Sequence, residues 1–434
     1  MKLKLLFFTL LMLLISQMNL NSQTLNLRVG TYMYGWERLD SLDKGSGTVE
    51  TTHIRGYQDY MLDVSYKKWE FSTNAQTEED ITEKSGRGFA YRFYNAYIKG
   101  SNLFNVLDVK LGRQYISQGV GRGTIDGVNL KLKLGKEKQS QISVYGGALT
   151  PLLYDFDNYP KLKYSYGFGA MFSYYGFKDL MLGVSYFNKN RKPDSYYATR
   201  LDSLFNTQTV YIETDSKANQ MGGFDITYHK PKYDIYGKFY LDIYTLRVYR
   251  GEFNGSYRLP HNIKISAGYL YHEPQISYNT IFWVFNHTAN QEIYANVDYT
   301  FCKTFNVYAG LSDVLYKDDH SLKIQAGLSH PNFGLTYVKY TGFTGESDGV
   351  YGYFNYELIR SKLSVTSGLN YSSYALNSYA TEDRVDSFTG LLGLVYRPIP
   401  HFTIDLQGQL ITNRIYKSDG RMMLGVTYWL FSKL

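Results

Sequence analysis

Apolar and polar side chains alternate along most of this chain, in stretches of about 9–14 residues separated by turn-forming clusters. Between residues 290 and 301, one face carries Ile293, Ala295, Val297, Tyr299 and Phe301, opposite Asn296, Asp298 and Thr300. The same alternation recurs at 125–134, 321–329, 402–410 and 422–430. Because successive side chains of a strand point to opposite faces, the pattern predicts strands with one apolar and one wet face.

The predicted strands number about 22, within a range of about 16 to 22. They lie near residues 24–36, 52–65, 67–79, 88–99, 106–116, 124–135, 141–150, 163–175, 180–190, 219–230, 233–244, 246–259, 263–275, 290–301, 305–316, 320–330, 333–344, 347–358, 363–375, 386–397, 402–413 and 420–431. Links after even-numbered strands are mostly tight, whereas those after odd-numbered strands are often long, at 37–51, 151–162, 191–218, 276–289 and 376–385. This asymmetry is typical of transmembrane β-barrels of the bacterial outer membrane, with both termini on the periplasmic side.

A wide barrel cannot fill its interior with side chains, so its inward face stays polar. The wet face of the predicted strands fits this, since it repeatedly carries Lys, Asp, Gln, Asn and Thr. In lipid every backbone group must be paired, which a closed sheet achieves. A soluble β-sandwich array would have shorter strands, and a solenoid or propeller would repeat a motif at a fixed period, which the sequence does not show. We therefore expect an all-β fold: a transmembrane, antiparallel, up-and-down β-barrel.

The first 22 residues resemble a secretory signal peptide. Lys2 and Lys4 form a basic start, residues 5–15 form an apolar core, and Ser22 is a small residue before cleavage. The apolar run is shorter than the roughly 20 residues that a membrane-spanning helix needs. We expect residues 1–22 to be a signal peptide and residues 23–434 to form one barrel domain in the bacterial outer membrane. The first strand then leaves no room for an N-terminal plug domain.

Composition agrees with this interpretation. The 434 residues include 45 Tyr and 25 Phe, which favour strands, and a single Cys, which excludes a disulfide framework and a Cys-based zinc site. The formal charge of +7 is not concentrated in any segment, so nucleic-acid binding is not expected. Aromatic side chains near strand ends are typical of a membrane-interface girdle, although strand propensity explains part of them: Tyr66, Tyr115, Tyr271, Tyr316, Tyr371, Tyr396, Tyr428 and Trp429.

One stretch differs from the general pattern. It has Leu-Gly-Arg-Gln at 111–114, a glycine-rich segment at 117–123 and Asp-Gly-Val at 126–128. It resembles the "LGRQ … DGV" hairpin of large outer-membrane porins of the alginate-export and phosphate-selective kinds. The resemblance implies that Arg113, Gln114, Arg122 and Asp126 sit near a pore constriction. The residues alone also allow a simpler interpretation, in which the glycines build a tight bend and Arg113 pairs with Asp126.

Charged side chains recur on the predicted inward faces, and rings of such charges set the selectivity of pores. The basic candidates are Lys110, Lys131, Lys133, Lys238, Lys264 and Lys323, and the acidic candidates are Asp108, Asp225, Asp242, Asp298 and Asp405. The slight basic excess indicates a general or weakly anion-preferring channel, unless these groups are merely solvated. Loop 191–218 is the first candidate to narrow the lumen, with Asp194, Arg200 and Asp202 at the mouth.

Three functions remain open. The first is a porin-like channel for passive diffusion of small hydrophilic solutes. The second is a non-conducting barrel that acts as a surface adhesin or assembly partner, and the third is a barrel hydrolase. The eight His are scattered without metal-ligand spacing, and the sequence has no GxSxG element or P-loop. We therefore expect no catalytic residues, metal or cofactor. Expected partners are outer-membrane lipid and lipopolysaccharide, the barrel-assembly machinery and small hydrophilic solutes; homo-oligomerisation stays open.

Overall fold

A computed structural model of the chain describes residues 24–40, 50–82, 88–156, 159, 161–192, 195–213, 219–274, 289–375, 384–414 and 416–433. Within these residues, 22 strands form a single antiparallel sheet. The sheet closes on itself because β1 (Thr24–Asp40) pairs with both β2 (Glu50–Tyr66) and β24 (Tyr416–Lys433). The predicted all-β, up-and-down barrel is confirmed, with a strand number at the top of the expected range.

The first half of the wall contains strands β2 to β9. After β2 they are β3 (Trp69–Asp80), β4 (Ala90–Leu103), β5 (Leu107–Gln118), β6 (Gly121–Leu134), β7 (Ser140–Leu149), β8 (Ser165–Phe177) and β9 (Leu180–Arg191). Each strand pairs with the next one along the chain. A single 3₁₀ turn, Leu162–Tyr164, precedes β8.

The wall continues from β9 directly to β12. The remaining strands are β12 (Asn219–Lys230), β13 (Tyr233–Asp242), β14 (Arg247–Leu259), β15 (Ile263–His272), β16 (Asn290–Phe301), β17 (Phe305–Leu315), β18 (His320–Ser329), β19 (Phe333–Gly342), β20 (Glu346–Ile359), β21 (Leu363–Ala375), β22 (Val385–Ile399) and β23 (Phe402–Thr412). A second 3₁₀ turn, Pro260–Asn262, joins β14 to β15. No helix in the part of the chain that the structure describes is long and apolar enough to cross a membrane.

Two further strands lie outside the wall, where the sequence predicted only a long loop. Strands β10 (Tyr196–Leu201) and β11 (Thr207–Ile212) pair with each other and form a separate two-stranded sheet. Their turn is capped by Asp202, whose carboxylate accepts the backbone N–H groups of Asn206 and Leu204, both at 2.8 Å. These bonds to Asn206 and Leu204 hold the pKa of Asp202 below its usual range.

The outer face of the barrel is apolar and exposed. Outward positions of the strands carry large apolar side chains that face the surroundings, for example Ile98, Val184, Phe253, Leu369 and Leu392. The inward positions between them are mostly polar, as the alternation predicted. An apolar exterior, a polar interior and a sheet without edges are the features that a barrel needs in order to span a lipid bilayer.

Candidate functional site

The tips of β5 and β6 leave the barrel wall. β5 pairs with β4 only as far as Arg113, and the β6–β7 ladder begins only at Ile125. Residues 114–124 therefore form strand ladders with each other but not with the neighbouring wall strands. We call residues 114–124 the lumenal hairpin.

Glycines allow the sheet to bend sharply where this hairpin begins. Gly112 and Gly123 have φ values of 118° and 146°, a region that side chains with a Cβ rarely adopt. Gly112 pairs with Gly127, and Gly127 pairs with Gly147 on β7. A Cβ on Gly127 would overlap the carbonyl oxygen of Gly146, so the strands approach each other too closely for a larger residue.

One face of the lumenal hairpin is buried against the inside of the wall. Ile116 and Val120, together with Ile125 at its root, belong to a buried apolar cluster. The other members lie on four wall strands that come after the hairpin in the chain. They are Tyr145 and Leu149 of β7, Phe187 of β9, Met221 of β12 and Tyr240 of β13. Because these positions lie on the inward side of their strands, the hairpin lies within the lumen and covers the β7–β13 side of it.

The tip of the hairpin docks into a seat formed by Ser185, Gly223 and Asp225. The backbone N–H of Val120 donates to Oγ of Ser185 at 3.0 Å. A Cβ on Gly223 would overlap Val120 and would lie 2.8 Å from Cδ1 of Tyr240, so the absence of a side chain there makes room for the tip. Oδ1 of Asp225 accepts the hydroxyl of Tyr240 at 3.0 Å.

The root of the hairpin is fixed by Arg113, a fully buried cation. Its Nε and Nη2 donate to the two carboxylate oxygens of Asp126 at 2.8 and 3.1 Å. Its remaining N–H groups reach the carbonyl oxygens of Phe93, Tyr154 and Asp155 at 3.1, 2.6 and 3.0 Å. All five N–H donors of the guanidinium are therefore bonded, which offsets the cost of burying the charge. The pairing of Arg113 with Asp126 that the sequence allowed is confirmed.

The segment that follows β7 fills the opening that the hairpin leaves in the wall. The backbone N–H of Phe93 on β4 donates to the carbonyl oxygen of Tyr154 at 3.0 Å. The ring of Phe156 stacks 4.2 Å from the Arg113 guanidinium, and the hydroxyl of Tyr159 is bonded to both Arg113 and Asp126. Arg113 thus joins the hairpin root, β4 and this loop.

The opposite face of the hairpin is free. Cross-strand pairing places Tyr115 with Thr124 and Ser117 with Arg122, on the side away from the buried cluster. Tyr115 is 60% exposed, and Ser117 and Arg122 are exposed as well. Arg122 is the charged residue of this face, and it interacts electrostatically with Asp225 and Lys238 on the neighbouring wall. Tyr115, expected in a membrane girdle, instead lies on the hairpin.

The other predicted site residues lie at the hairpin root or on the inner wall. Gln114 is fully buried at the hairpin root, where Nε2 donates to the carbonyl oxygens of Lys110 and Gly127 at 3.2 and 3.3 Å. Lys133 forms an ion pair with Asp108 at 2.7 Å.

Nζ of Lys110 lies 3.6 Å from the centroid of the Tyr97 ring. Lys131 is paired in register with Asp108, Lys238 with Asp225, and Asp298 with Lys264. The structure therefore gathers Arg113, Gln114, Arg122 and Asp126 on one hairpin, whereas Asp298 belongs to a different part of the wall.

Loop 191–218 was expected to narrow the lumen, and its described residues include the β10–β11 hairpin. Its two strands pair only with each other, and Arg200 is exposed on β10. Asp194 lies outside the described residues. The short β5–β6 connection has apolar side chains, Ile116 and Val120, that are buried against the wall. Ser185 and Gly223 were missed since nothing in their local sequence marks them; only the closure of the barrel brings them to the hairpin tip.

Within the described ranges, no group of three or more His, Cys, Asp or Glu side chains could hold a metal ion. The ring of His272 lies 5.4 Å from that of Tyr249. Several acidic and basic groups of the lumen are paired with each other, as in Arg92 with Glu78 at 2.7 Å and Arg421 with Asp419 at 2.9 Å.

The sequence matches no known protein family and no curated relative. Solved structures with a similar course of the chain include OpdO of Pseudomonas aeruginosa, at 10% identity and a TM-score of 0.43 over 94% of this chain and 97% of that one. OccAB4 of Acinetobacter baumannii has 11% identity and a TM-score of 0.41 over 95% and 99%. The P pilus usher (PapC) translocation pore has 8% identity and a TM-score of 0.47 over 93% and 99%. At such low identities and TM-scores, these likenesses carry no information about function.

Proposed function

We propose that this protein is a porin-like channel of the bacterial outer membrane, through which small hydrophilic solutes diffuse passively. The observation that carries the proposal is the lumenal hairpin: a closed barrel with a polar interior is narrowed from one side by residues 114–124. The hairpin packs on the β7–β13 side of the wall, so the lumen beside its free face remains as the path for solutes. Residues 1–22 would direct the chain to secretion, and residues 23–434 would form the one barrel domain.

The predicted site residues take two roles in this proposal. Arg113, Gln114 and Asp126 hold the hairpin at its root, since they are bonded to it or to the loop that seals the wall. Arg122 meets the solute, because it is exposed on the free face.

The other charges contribute to the field in the lumen. They are Lys110, Lys131, Lys133 and Lys238, with Asp298 opposing them. A cation at the narrowest level favours anions, and the carboxylates nearby weaken that preference. We therefore propose weak anion selectivity.

The test is the electrical behaviour of the purified protein in a planar lipid bilayer. The proposal predicts stable single-channel steps, and a reversal potential in a salt gradient with the sign of weak anion preference. A folded wild-type protein that gives no steps would overturn the channel. Steps with cation preference would leave the channel intact and overturn only the role given to Arg122.

A surface-binding role is a second candidate, favoured by the exposed aromatic side chains of the β10–β11 hairpin. Phe205 is 82% exposed at its turn, and the rings of Tyr197 and Tyr211 pack 5.1 Å apart on its strands. Exposed aromatic side chains on a rigid hairpin are typical anchors of protein interfaces. Removal of residues 196–212 should leave conductance unchanged if the channel is the main function, and should abolish attachment to a surface if adhesion is.

A further inference from the structure

The lumen wall is divided into two sectors that differ in charge. Across β19 to β22, the described inward-facing side chains of residues 334–342, 347–355, 364–374 and 385–395 are all uncharged. The inner face of β2 to β6 instead carries many charges of both signs: Asp59, Asp63, Glu70, Glu78, Arg92, Lys99, Asp108, Lys110, Lys131 and Lys133. We call the uncharged inward faces of residues 334–342, 347–355, 364–374 and 385–395 the neutral sector.

Tyrosines at this sector and its border lie flat against the wall. The side chain of Tyr308 on β17 crosses Gly327 of β18, where a Cβ would lie 2.6 Å from the tyrosine hydroxyl oxygen. The hydroxyl then bonds to Oγ1 of Thr336 on β19 at 2.6 Å. A ring held in this way has one face on the backbone of a glycine and the other towards the lumen.

Tyr353 repeats the arrangement three strands away, on β20. Its ring crosses Gly334, and its hydroxyl donates to the carbonyl oxygen of His330 at 3.1 Å. Tyr351 lies beside it, with ring centroids 6.3 Å apart, and is 48% exposed. Tyr351 is paired in register with Thr336, whose hydroxyl bonds Tyr308, so Thr336 connects Tyr308 to the Tyr351–Tyr353 pair along the wall.

Neutral hydrogen-bonding groups flank these rings. Asn370 on β21 is paired in register with Tyr351, and Asn355 is the next inward residue beyond Tyr353. An amide both donates and accepts, so it suits hydroxyl groups, which do the same. The negative face of an aromatic ring attracts weakly positive C–H groups. A charged solute would find no counter-charge among the inward side chains of this sector.

We propose that the neutral sector binds neutral oligosaccharides, with Tyr308, Tyr351 and Tyr353 as a stacking surface for pyranose rings. A pyranose has one C–H-rich face and a rim of hydroxyl groups, which matches ring faces bordered by amides. This inference rests on the proposed channel and names one class of solute that it conducts. The sugar slides along the neutral sector, while ions experience the charged wall and Arg122.

The experiment uses maltotriose as the probe, added to single channels of the wild-type protein in a planar bilayer. Wild type should show concentration-dependent interruption of the ion current. Tyr351→Ala and Tyr308→Ala should each raise the half-blocking concentration by at least about threefold, the order expected for loss of one stacking contact. Tyr308→Phe, which keeps the ring, should retain the block.

Tyr337→Ala is the matched control, because Tyr337 lies on β19 but is exposed on the outward face and bonds Asp348. Maltotriose should block this variant at the same concentration as it blocks wild type. Equal block in every variant, or none in a conducting wild type, would overturn the sugar site while the channel stands. If wild type does not conduct, the channel proposal fails, and calorimetric titration of the purified proteins with maltotriose decides the site alone: binding weakened by Tyr351→Ala supports it, and no binding overturns it.

Discussion

Arg113 and Asp126 form a bidentate ion pair, with Nε–Oδ1 and Nη2–Oδ2 distances of 2.8 and 3.1 Å, at the point where β5 and β6 leave the wall. The pair connects the two strands of the lumenal hairpin across its root. Because Arg113 also bonds Phe93 and Tyr154, the same side chain closes the gap in the wall beside it. One guanidinium thus connects the two strands of the hairpin root, β4 and the loop after β7.

Removal of the carboxylate should loosen the hairpin. Asp126→Ala leaves Arg113 buried without its counter-charge, and breaking a buried pair in this way costs about 3–5 kcal/mol. We expect a lower midpoint of urea unfolding and larger, noisier single-channel currents than in wild type. Lys133→Gln is the control, since it breaks the partly buried Lys133–Asp108 pair between the same strands within the wall. Currents in Asp126→Ala with the size and low noise of wild type would argue that this pair does not hold the hairpin in place.

A disulfide should trap the tip of the hairpin in its seat. A Cβ on Gly223 would lie 2.3 Å from Cγ1 of Val120, so cysteines at these two positions are close enough for a disulfide to form. The variant Val120→Cys/Gly223→Cys, in a Cys302→Ser background, should cross-link on mild oxidation and still conduct. The shift of the oxidised protein on a non-reducing gel reports the bond. Val120→Cys/Gly255→Cys should not cross-link; if it reacts as fast, the hairpin is not docked at Gly223.

The packing of tyrosine across glycine should contribute to stability. Gly327→Ala introduces a Cβ 2.6 Å from the Tyr308 hydroxyl oxygen, and overpacking of this kind costs about 1–3 kcal/mol. We expect a lower unfolding midpoint and weaker sugar block, because the ring must lift from the wall. Gly255→Ala provides the comparison, since no atom lies within 4 Å of the Cβ it would add. Equal stability of the two variants would show that the flat ring is not held by Gly327.

Reversal of the charge at Arg122 should change ion selectivity. Arg122→Glu places a carboxylate on the free face of the hairpin, so the reversal potential in a salt gradient should move towards cation preference. The effect should shrink as ionic strength rises, because salt screens charges in water. Arg200→Glu makes the same change of charge on the β10–β11 hairpin and should leave the reversal potential nearly unchanged. A comparable shift in both variants would mean that net charge, not the constriction, sets selectivity.

The period-two alternation was sufficient to predict about 22 strands and the face that each one turns to the lumen. A shift of one residue in the pairing of a strand would turn its apolar side chains into the lumen, so the pattern is strongly specified. The bend at Gly112 and the ion pair between Arg113 and Asp126 could also be recognised, since both lie within one hairpin of the sequence. The seat at Ser185 and Gly223 could not, because it depends on which strands face each other across a closed sheet. The flat tyrosines were equally hidden: Tyr308 and Gly327 are neighbours only through the register of β17 with β18.

The narrowing of an open lumen by residues 114–124 can be tested by comparing the single-channel conductance of the protein with and without the hairpin tip. Gln114 and Ile125 are paired across the hairpin, so residues 115–124 can be replaced by a two-residue Asn-Gly turn. We predict steady conductance in wild type and a clearly larger conductance in the shortened variant, with weaker anion preference because Arg122 is gone. No conductance in either protein, or the same conductance in both, would contradict a channel narrowed by this hairpin.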